Sequence, residues 1–169
     1  MFKYIFIVNG PPRCGKDTFA QFLGTLVPTW KYSSIDEIKR IARFCGYKDA
    51  KTEKDRKFLS DLKSLTTQYS DLAFKDVERV VKDFNASNAY RILLIDIREP
   101  EEIERAVEAF GAKTIFIENK NVADVTSNAS DARVRDYTYD YYVENNGDIF
   151  EFHKNITRFL AQIIFDSIE

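Results

Sequence analysis

A chain of 169 residues with 44% apolar and 31% charged side chains can bury one sizeable core, and no part of it is low in complexity. Its 25 Lys and Arg are offset by 27 Asp and Glu, so a net charge of −2 gives no general basic surface for nucleic acid or an anionic membrane. Two cysteines, Cys14 and Cys45, are too few for a disulfide framework and lack metal-ligand spacing; no run approaches the roughly 20 apolar residues of a membrane span, and residues 4–8 are too short for a signal-peptide core. The expectation is a single domain over residues 1–169 in a reduced, cytoplasmic compartment.

In chain order, "YIFIV" (4–8) predicts a buried strand, and Phe19, Phe22, Leu23 and Leu26 keep helical spacing after the loop that follows it. "WKYSS" (30–34) is a weaker strand; Ile35, Ile38, Ala42 and Cys45 mark the next helix. Residues 52–88 predict two helices or one bent pair. One apolar stripe is expected from Phe58, Leu62, Leu65 and Tyr69, another from Ala73, Val77, Val80, Val81 and Phe84. "RILLID" (91–96) and "KTIFIE" (113–118) are apolar runs without alternation, as parallel strands covered on both faces should be. Between them "REPEEIERAVEAFG" (98–111) has Pro100 near its start, carboxylates in its first turn and Gly111 at its end, the marks of a helix. Residues 119–130 are polar and unpatterned, and predict a loop. "YDYYVEN" (139–145) is a weaker strand whose tyrosines (Tyr137, Tyr139, Tyr141, Tyr142) are expected to pack a sheet edge. A last helix is expected over 148–168, with Phe152, Ile156, Phe159, Leu160 and Ile163 on one side. Strands alternating with helices imply an α/β fold: a mostly parallel sheet of about five strands with helices on both faces.

The chemistry is concentrated in "GPPRCGKDT" (10–18). Gly10, Gly15 and Lys16 satisfy G-x-x-x-x-G-K, and the run sits between a strand and a helix, as a phosphate-binding loop requires. Such loops curl successive backbone N–H groups around phosphate oxygens at a helix N-terminus, whose dipole favours anions. Pro11 and Pro12 cannot donate; Cys14, Gly15, Lys16, Asp17 and Thr18 can. Lys16 is expected to reach the β and γ phosphates of ATP. Asp17 stands where a metal-binding hydroxyl is usual; it is expected either to bind Mg²⁺, directly or through water, or simply to suit the first turn of a helix. Asp96 and Arg98 follow the strand 91–96, where ligands bind in open α/β sheets: Asp96 for Mg²⁺ or the acceptor, Arg98 for a phosphate. The alternative for both is an ordinary strand-end ion pair or helix cap. Lys39 and Arg43, with Asp36 or Arg40 adjacent, lie opposite the Ile35/Ile38/Ala42 stripe, as an acceptor-binding group or a solvated face; Arg56 is a further candidate. Cys14 is expected to fill the loop, and His153 is far from every motif.

"GPPRCGKDTFA" resembles the G-x-x-x-S-G-K-D-T-x-A loop of phage-type deoxynucleoside monophosphate kinases and their bacterial relatives. "SSIDEIKRIARFCGY" (33–47), "LLIDIREPEEIERAVEAFGAKTIFI" (93–117) and "YDYYVENNGDIFEF" (139–152) are similar to later elements of that family, in order, leaving residues 48–90 without a counterpart. The resemblance implies a three-layer P-loop kinase that moves the γ-phosphate of ATP, with Mg²⁺, to a (deoxy)nucleoside monophosphate. ATP would lie on Gly10, Arg13, Cys14, Gly15, Lys16, Asp17 and Thr18, with Asn145 at the adenine; Lys16, Asp96 and Arg98 would be catalytic, and Asp17 and Asp96 would face the metal. It singles out Lys39 for the acceptor, within a helical region of about 34–88. A lid is implied over about 118–135, where Lys120, Arg133 and Arg135 are the cations; the stretch between Lys113 and Ala132 holds no arginine. The partners implied are small nucleotides. Another small phosphorylated acceptor, as in phosphomevalonate kinases, and a nucleotide-binding regulatory protein are the alternatives; the second lacks a clear N-K-x-D motif.

Overall fold

The computed structural model describes residues 2–50, 52–122 and 133–166. Five strands form one sheet in the order β2-β3-β1-β4-β5. They are β1 (Tyr4–Asn9), β2 (Thr29–Ser33), β3 (Ile92–Asp96), β4 (Lys113–Glu118) and β5 (Tyr141–Glu144). β1 pairs in parallel with both β3 and β4, with Val8 opposite Asp96 and Asn9 opposite Phe116; β4 pairs in parallel with β5. Placing β1 at the centre, flanked by strands more than 80 residues later in the chain, puts the loop that follows it at the carboxyl edge of the sheet.

The chain divides into two compact units, residues 1–31 with 88–169, and residues 32–87. In the first, β1 alternates its side chains between two faces as the pleat requires. Phe6 and Val8, with Ile92, Leu94, Ile115, Ile117 and Val143, pack under α1 (Lys16–Leu26) and a C-terminal helix, α6 (Ile149–Phe165). Phe19 and Leu23 come from α1, and Phe152, Ile156, Phe159 and Ile163 from α6. Each such side chain contributes about 1.5–3 kcal/mol on burial. Ile7, Leu93 and Ile95, of opposite parity, are also buried, and α5 (Pro100–Phe110) packs along β1 with Ile103 and Ala106 inward. The sheet is thus covered by helices on both faces, which explains the unbroken apolar runs. Leu26 keeps the helical spacing but is 44% exposed at the end of α1, outside the core. Where β4 meets the edge strand β5, buried Thr114 of β4 exchanges hydrogen bonds with Asp140: Thr114 N–H and hydroxyl both donate to Asp140 Oδ2 at 2.8 Å, and Asp140 N–H donates to the Thr114 hydroxyl at 2.8 Å.

The second unit is helical: α2 (Asp36–Phe44), α3 (Glu53–Ser70) and α4 (Leu72–Ala86). Thr52 and Asp55 form a reciprocal cap at the start of α3, worth about 1 kcal/mol. Asp71, at φ 56°, separates α3 from α4, so the expected pair is two helices. The stripe Phe58/Leu62/Leu65/Tyr69 is corrected: Leu65 is 65% and Tyr69 90% exposed. The face that packs is set by Leu59, with Phe58 and Leu62, against Ile38 and Ala42. On α4 the expected stripe is buried throughout, with Asp76 inside it; Tyr32 donates to its Oδ2 and Arg79 to its Oδ1 at 2.7 Å.

Candidate active site

β1 ends in Asn9, a wholly buried amide, and every polar atom of such a side chain needs a partner. Its Oδ1 accepts the N–H of Gly10 at 2.8 Å, and its Nδ2 donates to the Tyr139 hydroxyl at 2.8 Å and to the Arg98 carbonyl at 3.2 Å. The Tyr139 hydroxyl in turn donates to the carbonyl of Val134 at 2.8 Å. Burial pushes this phenol far above its ordinary pKa despite the bond from Asn9, so it remains the proton donor of the chain. One side chain therefore fixes the first residue of the loop, the segment after β3 and the approach to β5.

The loop curls tightly because three residues take positive φ: Gly10 (146°), Arg13 (65°) and Gly15 (107°). Space demands glycine as well as conformation does. A Cβ on Gly10 would stand 2.6 Å from the Ile117 carbonyl oxygen and 2.7 Å from Cys14 Sγ, and one on Gly15 would run into Asn145 Nδ2. Asn145 is expected at an adenine; here it braces the loop, donating from Nδ2 to the Cys14 carbonyl at 2.9 Å while its N–H holds Glu118 O at 2.7 Å. The first intrahelical bond of α1 runs from Phe19 N–H to Gly15 O at 2.8 Å. The N–H groups of Gly15, Lys16, Asp17 and Thr18 precede that ladder and carry the positive end of the helix dipole, the arrangement that receives phosphate.

Lys16 folds back into this loop: its ammonium donates to the carbonyls of Gly10 at 2.6 Å and Pro11 at 3.0 Å. Burial lowers its pKa, with Arg98 adding repulsion and Asp96 opposing it. Cys14 is completely enclosed, and burial raises its thiol pKa against the pull of Lys16. Its side chain fills space inside the loop, against Gly10. Cys45 is exposed. A disulfide reagent such as DTNB at pH 8 is therefore expected to titrate one thiol quickly in the native protein. The second should react at least about tenfold more slowly, and both together in denaturant; two fast native thiols would show that the loop opens freely.

Asp17, in the first turn of α1, is almost fully exposed and ion-paired with Lys31 of β2. The same ammonium lies 3.5 Å from Asp96 Oδ2 at the end of β3. Asp96 is mostly enclosed; burial raises its pKa, while Lys31 and Lys16 pull it down. For Lys31 burial works the other way, but the two carboxylates outweigh it and its pKa rises. Two carboxylates that reach one ammonium also suit one small hard cation, which takes oxygen ligands and completes its shell from phosphates and water. Among the described residues no group of three or more His, Cys, Asp or Glu is arranged to hold a metal.

The structure thus brings Gly10, Arg13, Cys14, Gly15, Lys16, Asp17, Thr18, Asp96 and Asn145 into one unit, with Arg98 exposed beside them at the carboxyl end of the sheet. Asp36, Lys39, Arg43 and Arg56 belong to the other unit. There Asp36 Oδ2 accepts the N–H of Ser33 at 3.0 Å, a capping contact, while Arg43 and Arg56 are exposed and Lys39 is half-buried. Of the expected lid, residue 118 ends β4 and residues 123–132 lie outside the described residues. Lys120 N–H donates to Asn146 Oδ1 at 2.8 Å. Arg133 is paired with Glu101 at 2.7 Å, and Arg135 lies 3.8 Å from Glu118 and over the ring of Phe116. His153 stacks on Phe22, ring centres 3.7 Å apart. Sequence reading missed Asn9, Lys31 and Tyr139. A polar residue closing a buried apolar strand was a usable signal for Asn9; nothing local marked the other two. Among the described residues no helix is long and apolar enough to cross a membrane.

No family model matches this chain, and no curated protein matches it in sequence. Solved structures do. The chain is similar to TT1252 from Thermus thermophilus (TM-score 0.57, 16% identity, 96% of this chain and 98% of that one). It is also similar to dephospho-CoA kinase from Campylobacter jejuni (0.56, 14%, 95% and 97%) and to shikimate kinase from Acinetobacter baumannii in complex with shikimate (0.52, 14%, 100% and 97%). At such identities the likeness is one of fold alone: a five-stranded α/β sheet with helices on both faces.

Proposed function

We propose that this protein is an ATP-dependent phosphotransferase whose acceptor is a (deoxy)nucleoside monophosphate. The observation that carries the reading is the loop: Lys16 is held inside a glycine-framed turn at the N-terminus of α1, with two carboxylates beside it that can share one cation. Phosphoryl transfer asks for positioning and charge neutralisation rather than covalent chemistry from the protein. The N–H groups of Gly15 to Thr18 would orient the donor phosphates, and Lys16 would exchange its carbonyl partners for phosphate oxygens. Asp17 and Asp96 would hold Mg²⁺, whose part is to neutralise charge on the phosphates. Arg98 would bind the acceptor phosphate; Lys39 keeps the acceptor role that the family resemblance gives it, and Arg43 the one its place on the same helix face suggests. No general base is needed, because a monophosphate oxygen is already anionic.

The fold relatives include kinases named for dephospho-CoA and shikimate, so a different small acceptor is the second reading. A coupled ADP-release assay with Mg·ATP and each ribo- and deoxynucleoside monophosphate decides between them. A strong response to one or two identifies the acceptor; silence across the panel, from protein that still gains thermal stability with Mg·ATP, removes the nucleotide acceptor and favours the second reading. Within that assay Arg98→Ala is expected to lower kcat/KM about 100-fold while ATP binding changes less than about threefold. Equal loss of both would place Arg98 on the donor or in the fold.

A further inference from the structure

Lys31 is the only charged side chain of β2, and the contacts it makes join three elements. Its ammonium meets Asp17 from the first turn of α1 and Asp96 from the end of β3. The two carboxylates differ in setting: the Asp17 side chain is 94% exposed and that of Asp96 only 22%. Water can solvate the first. The second depends on a cation, and without one the two would repel each other across the place where Lys31 now stands.

We propose that Lys31 is a positioning residue that holds Asp17 and Asp96 together in the nucleotide-free protein and competes with divalent metal for them, so that metal is accepted with the nucleotide rather than alone. The inference rests on the kinase reading above and adds to it a residue that the reading does not use. With Lys31 in place the pair offers an incoming divalent cation a net charge of only −1, too little to strip a strongly hydrated ion. Polyphosphate arriving with the metal restores the attraction. Lys31 can then leave the carboxylates on its flexible four-carbon stem without losing an anionic partner.

The test is Mn²⁺ binding to nucleotide-free protein, followed by the EPR signal of free Mn²⁺, for wild type, Lys31→Met and Lys31→Arg. Lys31→Met is expected to bind Mn²⁺ at least about tenfold more tightly than wild type, and Lys31→Arg to match wild type. Adding Asp17→Asn to Lys31→Met, at a side chain exposed enough to tolerate it, is expected to return the affinity to the wild-type level. Equal Mn²⁺ affinity in wild type and Lys31→Met overturns the inference, as does a gain that survives Asp17→Asn. Lys31→Gln, measured the same way, serves if circular dichroism shows Lys31→Met unfolded. The kinase reading fails separately: wild type that gains no thermal stability from Mg·ATP refutes it whatever Mn²⁺ does alone.

Discussion

Lys16→Ala protein is expected to melt at one temperature with and without Mg·ATP, whereas wild type at ATP about 100-fold above its Kd gains about 2.7 kcal/mol, or about 5–10 °C for a chain of this size. The expectation follows from what Lys16 touches. Its ammonium is spent on two loop carbonyls, and it is the one cation seated inside the turn among the described residues. Phosphate oxygens would take those bonds over at full charge. Without the ammonium the N–H groups at the start of α1 remain, but the turn has lost the cation that would face the phosphates, while Lys31 stays committed to Asp17 and Asp96. Transfer should fall by about 1,000-fold or more. Ligand-free stability should change by less than about 1 kcal/mol, because removing a buried ammonium recovers desolvation while two carbonyls lose a donor. Differential scanning fluorimetry with and without Mg·ATP checks both halves. A variant that keeps its ATP shift would place the nucleotide elsewhere.

Gly10→Ala should be the most damaging of the glycine-to-alanine changes. The residue sits at φ 146°, and the added Cβ would meet a backbone oxygen, that of Ile117 in β4, at 2.6 Å and the enclosed Cys14 sulfur at 2.7 Å. Neither neighbour is a loose side-chain end, so β1 and β4 must part or the loop must reopen. The expected cost is about 3 kcal/mol or more, a fall in melting temperature of about 6–12 °C, and loss of the ATP-dependent shift. Gly24→Ala makes the contrast. Gly24 is an exposed interior position of α1 where a Cβ meets nothing within 4 Å, and alanine there should stabilise by about 0.5–1 kcal/mol. Urea unfolding of the two variants beside wild type decides the matter. Similar small effects would mean that the loop is softer than its contacts indicate.

Much of this site was legible in the sequence because its signals are local. An apolar run, six loop residues and a helical pattern fall within residues 4–26, and each constrains the next. The helix 98–111 was equally plain: Pro100 occupies its first turn and Gly111 its end. What failed to show was long-range. Nothing near Lys31 announces Asp17, 14 residues earlier, and nothing near Asn9 announces Tyr139, 130 residues later. The α3 stripe misled for a related reason. Phe58, Leu62, Leu65 and Tyr69 have sound helical spacing, but so does the overlapping set led by Leu59. Only the partner helix, through Ile38 and Ala42, decides which set turns inward. The lid was expected from a resemblance, and the helical acceptor region from resemblance and charge placement; neither has a local signature comparable to the loop.

The brace from Asn145 to Cys14 spans 131 positions of the chain, and the wall behind Gly10 is supplied by Ile117. A growing polypeptide therefore carries "GPPRCGK" long before β4 and β5 are synthesised and paired, and until then the loop lacks the contacts that frame it. Closing so long a loop is entropically slow, and it precedes any reward from the ligand. A ligand that binds this loop would consequently stabilise only the finished sheet, and would offer no help to the nascent fragment during translation.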